Sequence, residues 1–391
     1  MNIIDINKYK KKNLLKRIII FFLIILIFLT VTSLIIAYKK NENFRNWADE
    51  YIFNKNIENI DNAYIEVDMT KDISIYAYEE YITILEKNVL TLYNVNASKV
   101  YELDVNINNP IYSKNSKYLC IAENNGNNIY LISGGSIVWQ RSAEGSIQNI
   151  KVNKNGYVTM IEKGTSYKNI VTTIGPEGKE LFKTYLSSSI AASAEISEDN
   201  SYLAVAEIDT SGAIIKSNIK IISIEKAKND PSNSIEYNIS AKDGDLISMI
   251  KYQEKNKLIY MSDTGIHIIE NGEDNELISF YNKINTANIE NKNNIVYTKE
   301  KSTGILSTDT EVIVKNVQNN NEITYTINST IKALRVYENN IAVNLGIEAE
   351  FINTNGWLQK KYKSSREISE IVLGSSIAGV IYRDRVEIIN L

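Results

Sequence analysis

The stretch that decides the fold is Ile147–Leu186, IQNIKVNKNGYVTMIEKGTSYKNIVTTIGPEGKELFKTYL. It contains four short runs rich in Ile, Val, Thr and Tyr, beginning at Ile147, Tyr157, Asn169 and Leu181. Asn-Gly and Gly-Pro-Glu-Gly turns separate the first run from the second and the third from the fourth. Short β-branched and aromatic runs between turn residues are typical of β-strands. The stretch therefore predicts a unit of four antiparallel strands.

The same unit recurs along most of the chain, with an aromatic residue placed in or near its fourth strand at Trp139, Phe182, Phe280 and Trp357. A repeated unit of four strands is the pattern of a β-propeller blade. First strands are predicted near eight positions: Ile73, Ile107, Ile147, Ala194, Ile247, Asn288, Ile331 and Ile368. Eight blades give roughly 41 residues each, a usual blade length, whereas seven give about 47. The sequence predicts an all-β propeller, with eight blades preferred and seven as the alternative.

The last unit is one strand short, because the chain stops after the run Arg385–Leu391. An additional strand, Tyr64–Met69, precedes the first complete unit. Pairing it with the last unit removes an exposed strand edge, which would otherwise invite association with other chains. We expect this N-terminal strand to close the last blade.

A second feature, Ile18–Tyr38, is a run of 21 residues without a charge. About 20 apolar residues in a helix span the hydrocarbon core of a bilayer. Basic residues concentrate on the N-terminal side, and such residues favour the cytoplasm. The alternative, a cleaved signal peptide, lacks its small-residue cleavage pattern. The prediction is a signal anchor at 18–38, with a short basic cytoplasmic leader at 1–17 and an extracytoplasmic propeller at 62–391.

The connecting segment 39–61 is predicted to begin with a juxtamembrane helix. Phe44, Trp47, Ala48 and Tyr51 share one face at helical spacing. Two interpretations stay open for that face. It could lie in the membrane interface, where aromatic residues concentrate, or it could pack on the propeller.

Charge and composition exclude several classes of function. Beyond residue 40 the chain holds 35 of its 43 basic residues and 46 of its 47 acidic ones, and an acidic body disfavours nucleic-acid binding. Cys120 is the single cysteine, lies in an apolar run and is expected to be a buried strand residue. One histidine and one cysteine cannot supply a metal site of several His or Cys ligands.

The chain resembles an uncharacterised family of low-GC Gram-positive bacteria, with one membrane span followed by a quinoprotein-like, WD40-like propeller. The resemblance is nearly full length and is carried by the segments 46–48 (NWA), 109–111 (NPI), 152–157 (VNKNGY), 180–188 (ELFKTYLSS) and 351–357 (FINTNGW). It implies architecture and location, and no activity.

No catalytic, cofactor-binding or metal-binding residue is predicted. His267 lies in a predicted strand and is expected to be structural, because a general base needs a partner that the sequence does not reveal. Nothing marks a quinone site. The remaining candidates are acidic groups that we interpret as solvated turns, without the spacing of a calcium loop: Glu79-Glu80, Glu198-Asp199, Glu348/Glu350, Asp243-Gly244-Asp245 and Glu273-Asp274.

The sequence thus favours a membrane-tethered binding or scaffold module whose partner is a protein or a cell-envelope component. Its 25 tyrosines support this weakly, since Tyr is enriched at interfaces. The alternative is an enzyme, a lyase, hydrolase or quinone-type oxidoreductase, with its site in the central channel. A deep pocket with converging charges in the channel would favour that alternative.

Overall fold

The computed structural model describes residues 6–41, 44–45, 47–48, 52–53, 62–242, 244–253, 256–282, 284–302 and 308–391. Its strands form eight separate four-stranded sheets. In seven of them four consecutive strands pair in chain order, each antiparallel to the next. The protein is an eight-bladed β-propeller, as preferred from the sequence.

Blades 1 to 7 follow one another along the chain. From the first strand to the fourth, blade 1 consists of β2 (Ile73–Tyr78), β3 (Tyr81–Glu86), β4 (Val89–Tyr93) and β5 (Lys99–Asp104). Blade 2 consists of β6 (Pro110–Asn115), β7 (Tyr118–Glu123), β8 (Asn128–Ser133) and β9 (Ser136–Ser142), and blade 3 of β10 (Ser146–Val152), β11 (Val158–Lys163), β12 (Asn169–Ile174) and β13 (Glu180–Leu186). Blade 4 consists of β14 (Ser189–Ile196), β15 (Tyr202–Asp209), β16 (Lys216–Ser223) and β17 (Ile235–Ser240), and blade 5 of β18 (Ile247–Tyr252), β19 (Leu258–Ser262), β20 (Gly265–Glu270) and β21 (Glu273–Ser279). Blade 6 consists of β22 (Ile284–Asn288), β23 (Asn294–Ser302), β24 (Thr308–Asn316) and β25 (Glu322–Ile327), and blade 7 of β26 (Ala333–Tyr337), β27 (Asn340–Asn344), β28 (Glu348–Asn353) and β29 (Leu358–Lys363).

Blade 8 is built from both ends of the propeller chain. Its strands are β30 (Glu370–Leu373), β31 (Ile377–Ile381), β32 (Arg385–Asn390) and, as the outermost strand, β1 (Tyr64–Glu66). β1 pairs antiparallel with β32, with Ile65 opposite Val386. The predicted closure of the last blade by an N-terminal strand is confirmed. It covers a strand edge that would otherwise be exposed.

The core consists of layers between neighbouring blades. Between blades 3 and 4, for example, Val171 and Phe182 pack with Ala194, Leu203 and Val205. Successive side chains of a strand point to opposite faces of its sheet. The central strands of each blade therefore contribute apolar residues to the layers on both sides. Burying each large apolar side chain contributes about 1.5–3 kcal/mol.

The recurring aromatic positions have different surroundings. Trp139 in β9 and Phe182 in β13 are buried between blades. Phe280 lies in a 3-10 turn, Phe280–Asn282, that follows β21. Trp357 lies in the turn before β29 and is 40% exposed. That exposed ring contacts the N-terminal segment.

Helices occupy little of the described chain. The N-terminal helix α1 extends over Ile6–Lys40. Within it, Arg17–Lys40 is long and apolar enough to cross a membrane, and its most apolar window is not buried against the propeller. A short helix, Ile224–Asn229, follows β16 and begins with Ser223 as its N-cap, and a 3-10 turn covers Pro231–Asn233.

Described residues of the segment that follows α1 pack on the propeller. Arg45 is fully buried and Ala48 is 2% exposed, whereas Trp47 is 49% exposed. Of the two interpretations of this segment, the described residues support packing on the body. Tyr51, the fourth residue of the predicted face, lies outside the described residues.

Candidate binding site in the central channel

The first strand of every blade borders the central channel of the propeller. Because side chains alternate along a strand, every second residue of these strands faces the channel. In blades 2 to 5 the penultimate residue of the first strand is charged in each case: Lys114, Lys151, Glu195 and Lys251. The repeat therefore places charged groups from four consecutive blades at one level of the channel.

A cavity of about 550 Å³ occupies this level of the channel. Its wall includes Lys114, Lys151 and Lys251 from the first strands, and Glu290 just after β22. Its mouth is formed by turns that join first to second strands, at Lys154, Glu198, Lys292 and Glu338. The cavity thus opens on the propeller face that carries these turns, called here the mouth face.

Ion pairs cross the cavity and connect its blades. Lys251 Nζ lies 2.5 Å from Glu195 Oε1, joining blades 5 and 4. Lys151 Nζ lies 2.6 Å from Glu290 Oε1, joining blade 3 to blade 6. Because blades 3 and 6 are three positions apart in the ring of eight, the side chain of Glu290 reaches across the channel. At the mouth, Lys154 pairs with Glu198 at 2.6 Å.

Lys114 has a different environment, because no described carboxylate lies within ion-pair distance of its ammonium group. Its Nζ donates hydrogen bonds to the carbonyl oxygens of Ala77, at 2.6 Å, and Leu373. It also lies 3.7 Å from the centre of the Tyr337 ring, a cation–π contact. Burial lowers the pKa of Lys114 to about 7, although Glu338 and Glu290 act in the opposite direction.

Glu290 experiences the summed field of the lysines around it. Lys151 contributes most to lowering the pKa of Glu290, and Lys251 and Lys114 lower it further, although burial opposes them. The carboxylate is therefore held in its charged form by cations from three different blades. Tyr112 also lines the cavity, and the centroid of its ring lies 4.0 Å from that of the buried Tyr76.

His267, in β20, lies away from this cavity in the outer part of blade 5. Its Nδ1 lies 3.1 Å from Asp274 Oδ1, and its ring stacks on Tyr260 at 4.7 Å. Tyr260 donates a 2.7 Å hydrogen bond to the other carboxylate oxygen of Asp274. Although burial opposes it, bonding to His267 and Tyr260 lowers the pKa of Asp274. The arrangement ties β19, β20 and β21 together within one blade.

The acidic groups singled out from the sequence do not converge on one site. Glu198 lies at the cavity mouth, whereas Asp199 accepts hydrogen bonds within its own turn from Ser201. Glu79 and Glu80 line a separate surface depression. Asp243 lies outside the described residues. Cys120 is fully buried, and burial raises the pKa of its thiol. Across the part of the chain that the structure describes, no group of three His, Cys, Asp or Glu side chains is placed to hold a metal ion.

Glu350 is a buried ionic centre rather than a solvated turn residue. Its carboxylate accepts a 2.7 Å hydrogen bond from Tyr325 and lies 3.1 Å from Lys361 Nζ. Arg45 Nη2 lies 4.0 Å from the same carboxylate and donates to the carbonyl of Thr326. The guanidinium also stacks 4.0 Å above the Tyr325 ring. Arg45 thereby anchors the segment that follows α1 between blades 6 and 7.

The end of α1 contacts the mouth face. Tyr38 lies 5.5 Å from the Trp357 ring, and Lys39 Nζ lies 5.4 Å above it. Trp357 is in the turn between the third and fourth strands of blade 7, which lies on the same face as the first turn of an antiparallel blade. Arg45 reaches Thr326, near the opposite end of β25. The C-terminal end of α1 therefore lies at the mouth face. From there the chain runs along the outer wall of the propeller toward the opposite face, as far as Arg45.

Among the cavity-lining residues named above, Glu198 is a sequence-based candidate and the others are not. A signal for them does exist, since a charge recurs before the last residue of four successive first strands. This pattern can be recognised only when the strand ends are known to within one residue. A register shift of one residue moves every side chain of the strand to the other face.

Comparison with known proteins shows the family and the fold. Among solved structures, the C-terminal WD40 domain of Sif2 is 14% identical, with a TM-score of 0.55 over 85% of this chain and 99% of that one. Dihydro-heme d1 dehydrogenase NirN is 10% identical, with a TM-score of 0.51 over 85% of this chain and 73% of that one. BamB from Moraxella catarrhalis is 10% identical, with a TM-score of 0.45 over 84% of this chain and 98% of that one.

The first two similarities, with TM-scores of 0.55 and 0.51, support a shared propeller fold and nothing finer. A comparison with curated proteins gives no match. The family model described as "Family of unknown function (DUF5711)" matches residues 51–391, which include the whole propeller. The chain belongs to this family.

Proposed function

We propose that this protein is a membrane-tethered, extracytoplasmic binding module whose partner, a protein or a cell-envelope component, docks at the mouth face. In this proposal 1–17 is the cytoplasmic leader, 18–38 the span, 39–61 the connector and 62–391 the propeller. The observation that carries it is the buried Arg45, which fixes the propeller to the segment that follows α1. A rigid attachment gives the mouth face a constant orientation toward the bilayer.

Two further features support a binding role. The cavity is concave and is lined by charged side chains from several blades, and placed polar groups of this kind orient the ligand in small-molecule sites. Most of its carboxylates are ion-paired with lysines, so they hold the wall in place rather than standing free for proton transfer.

Site-specific photocrosslinking tests the docking face. A photoreactive amino acid in place of Lys154 reports on the mouth face, and one in place of Tyr281 is the matched control on the opposite face. Tyr281 is 86% exposed and belongs to the connection between blades 5 and 6. We expect a reproducible crosslinked species in intact membranes at position 154 and none at 281. Equal yields at the two positions would contradict the proposed docking face.

An enzyme is the second candidate, since the channel does contain a pocket with converging charges. The observation that favours it is Lys114, whose pKa of about 7 leaves part of the amine neutral at physiological pH. A neutral lysine amine can act as a base or a nucleophile. Incubation of cell-envelope extracts with the wild type and with Lys114→Met, followed by mass spectrometry, tests this candidate. If the protein is such an enzyme, the wild type should form a product that Lys114→Met does not form.

A further inference from the structure

Glu290 occupies a position inside the cavity that is suited to an external anion. Its side chain is 45% exposed, and it extends from blade 6 to Lys151 of blade 3. It belongs to the turn segment after β22 rather than to a strand, and its backbone N–H is bonded to Asn288. A carboxylate on a turn can move aside without breaking a sheet ladder.

Cations from separate blades surround that carboxylate. Lys151 and Lys251 are partly accessible from the cavity, with side-chain exposures of 23% and 15%. Lys154 adds a further ammonium group at the mouth, with an exposure of 39%. Groups fixed on different blades of a closed propeller cannot separate to relieve their mutual repulsion. Carboxylates offset this repulsion, since Lys151 pairs with Glu290, Lys251 with Glu195 and Lys154 with Glu198.

The charge inside the cavity contrasts with that of the body. Six basic side chains line it, against Glu198, Glu290 and Glu338, while Glu195 and Glu370 pair with two of the basic groups from just outside. The described lining thus holds more basic than acidic side chains, in a body that is acidic overall. Removing Glu290 raises this excess by one. Low-dielectric walls concentrate such a field within a cleft.

We propose that the cavity is a binding site for a small anion bearing phosphate or carboxylate groups. Without that ligand, the Glu290 carboxylate pairs with Lys151, the lysine that the ligand would contact. On binding, the ligand replaces Glu290 as the partner of Lys151, and Lys251 and Lys154 complete its coordination. The cavity volume accommodates a small organic anion or a lipid headgroup. This site deepens the proposed binding role by assigning it a ligand class.

Isothermal titration of the purified full-length protein in detergent, with inorganic pyrophosphate and with citrate as probes, tests the site. Glu290→Gln preserves the shape of the side chain and removes its charge. We expect this variant to bind at least one of the probes about tenfold more tightly than the wild type, a change of about 1.4 kcal/mol. Lys154→Gln, on an accessible side chain, should weaken binding by a similar factor.

The matched control is Glu311→Gln in the same blade. Glu311 pairs with Lys301 at 3.2 Å on outer strands, away from the cavity. It should leave probe affinity unchanged. The proposal is overturned if Glu290→Gln folds, as judged by near-ultraviolet circular dichroism, and binds neither probe in the millimolar range. It is equally overturned if Glu311→Gln raises affinity as much as Glu290→Gln does.

A second arm separates a soluble ligand from a lipid headgroup. The full chain is reconstituted in nanodiscs of phosphatidylcholine alone or with phosphatidylglycerol, and pyrophosphate binding is measured in each. Weaker binding in the phosphatidylglycerol nanodiscs indicates that the headgroup competes for the site, whereas equal binding assigns the site to a soluble anion. Either result retains the anion site. No crosslinked species at position 154, together with probe binding by the wild-type protein, would remove the proposed partner without removing this site.

Discussion

At the scale of single residues, the fully buried Arg45 and the partly buried Lys114 have opposite surroundings. Arg45 is buried against a carboxylate and an aromatic ring, and it links the N-terminal segment to the propeller. Lys114 is partly buried against carbonyl groups and a ring, with no carboxylate of the described residues within ion-pair distance. The first should stabilise the fold in its charged form, whereas the second should cost stability when protonated.

Replacing Arg45 by Met should lower the free energy of unfolding by about 3 kcal/mol, since removing one partner leaves a buried charge poorly compensated. Glu350 retains Lys361 and Tyr325, which is why the lower part of the usual range applies. Chemical denaturation in detergent measures the change. The control is Arg366→Met, whose partner Asp384 is exposed and which should alter stability little. Equal losses in the two variants would contradict the anchoring role.

The lowered pKa of Lys114 predicts how the free energy of unfolding depends on pH. Its pKa is about 7 in the folded protein and ordinarily 10.5, so between these values the unfolded chain binds more protons than the folded one. Stability contributed by this group therefore rises with pH from about 7 to 10.5. Lys114→Met should remove that slope, by about one proton, from unfolding curves measured at several pH values. Parallel slopes in variant and wild type would refute the assignment.

At the scale of secondary-structure elements, β1 is short but controls closure. It has three residues, and its buried Ile65 packs with Ile82, Ile377 and Val386 of blades 1 and 8. The pairing joins the beginning of the propeller to its end. Because no blade can leave a closed ring without breaking two neighbouring layers, closure should make unfolding cooperative.

Ile65→Asp places a charge in this apolar layer and should open the ring between blades 8 and 1. We expect a lower denaturation midpoint and earlier proteolytic cleavage in blade 8 than in the other blades. Limited proteolysis with mass spectrometry locates the cleavage. Glu66→Ala, at the exposed neighbouring position, preserves the strand and should behave as the wild type. First cleavage in a central blade would show that closure depends on something other than β1.

The first strands of the blades contribute to both the core and the cavity. Each strand has one face in an interblade layer and one in the channel, so its apolar residues stabilise the ring while its charged residues line the cavity. Alternation alone predicts two faces. Which face is interior depends on register relative to the propeller axis.

At the scale of the whole molecule, the attachment of α1 orients the propeller. Tyr38 packs on Trp357 of the mouth face, and the chain then follows the outer wall to Arg45. If α1 spans the bilayer as proposed, the cavity opens toward it. A ligand at the membrane surface would then meet the mouth face before any other part of the propeller.

Fluorescence quenching tests this orientation in vesicles. A fluorophore on Lys154→Cys should be quenched by headgroup-labelled lipid at least twofold more than one on Tyr281→Cys, because the two positions lie on opposite faces. The native Cys120 should not react, since it is fully buried and its thiol pKa is raised. Stronger quenching at position 281 would reverse the orientation. Protease digestion of the body in intact protoplasts, with the leader protected, tests the sidedness separately.

The sequence alone determined the blade, the closing strand and the apolar helix, and it favoured eight blades over seven. These follow from local patterns, since strand alternation, turn residues and charge-free length are each contained in short segments. The contacts of Glu290 with Lys151 and of Arg45 with Glu350 join residues separated by 139 and 305 positions along the chain. Only the tertiary structure decided them, because ring closure sets which distant blades face each other across the channel. For the same reason the sequence revealed a propeller and its predicted tether, while the cavity emerged only when eight first strands met around one axis.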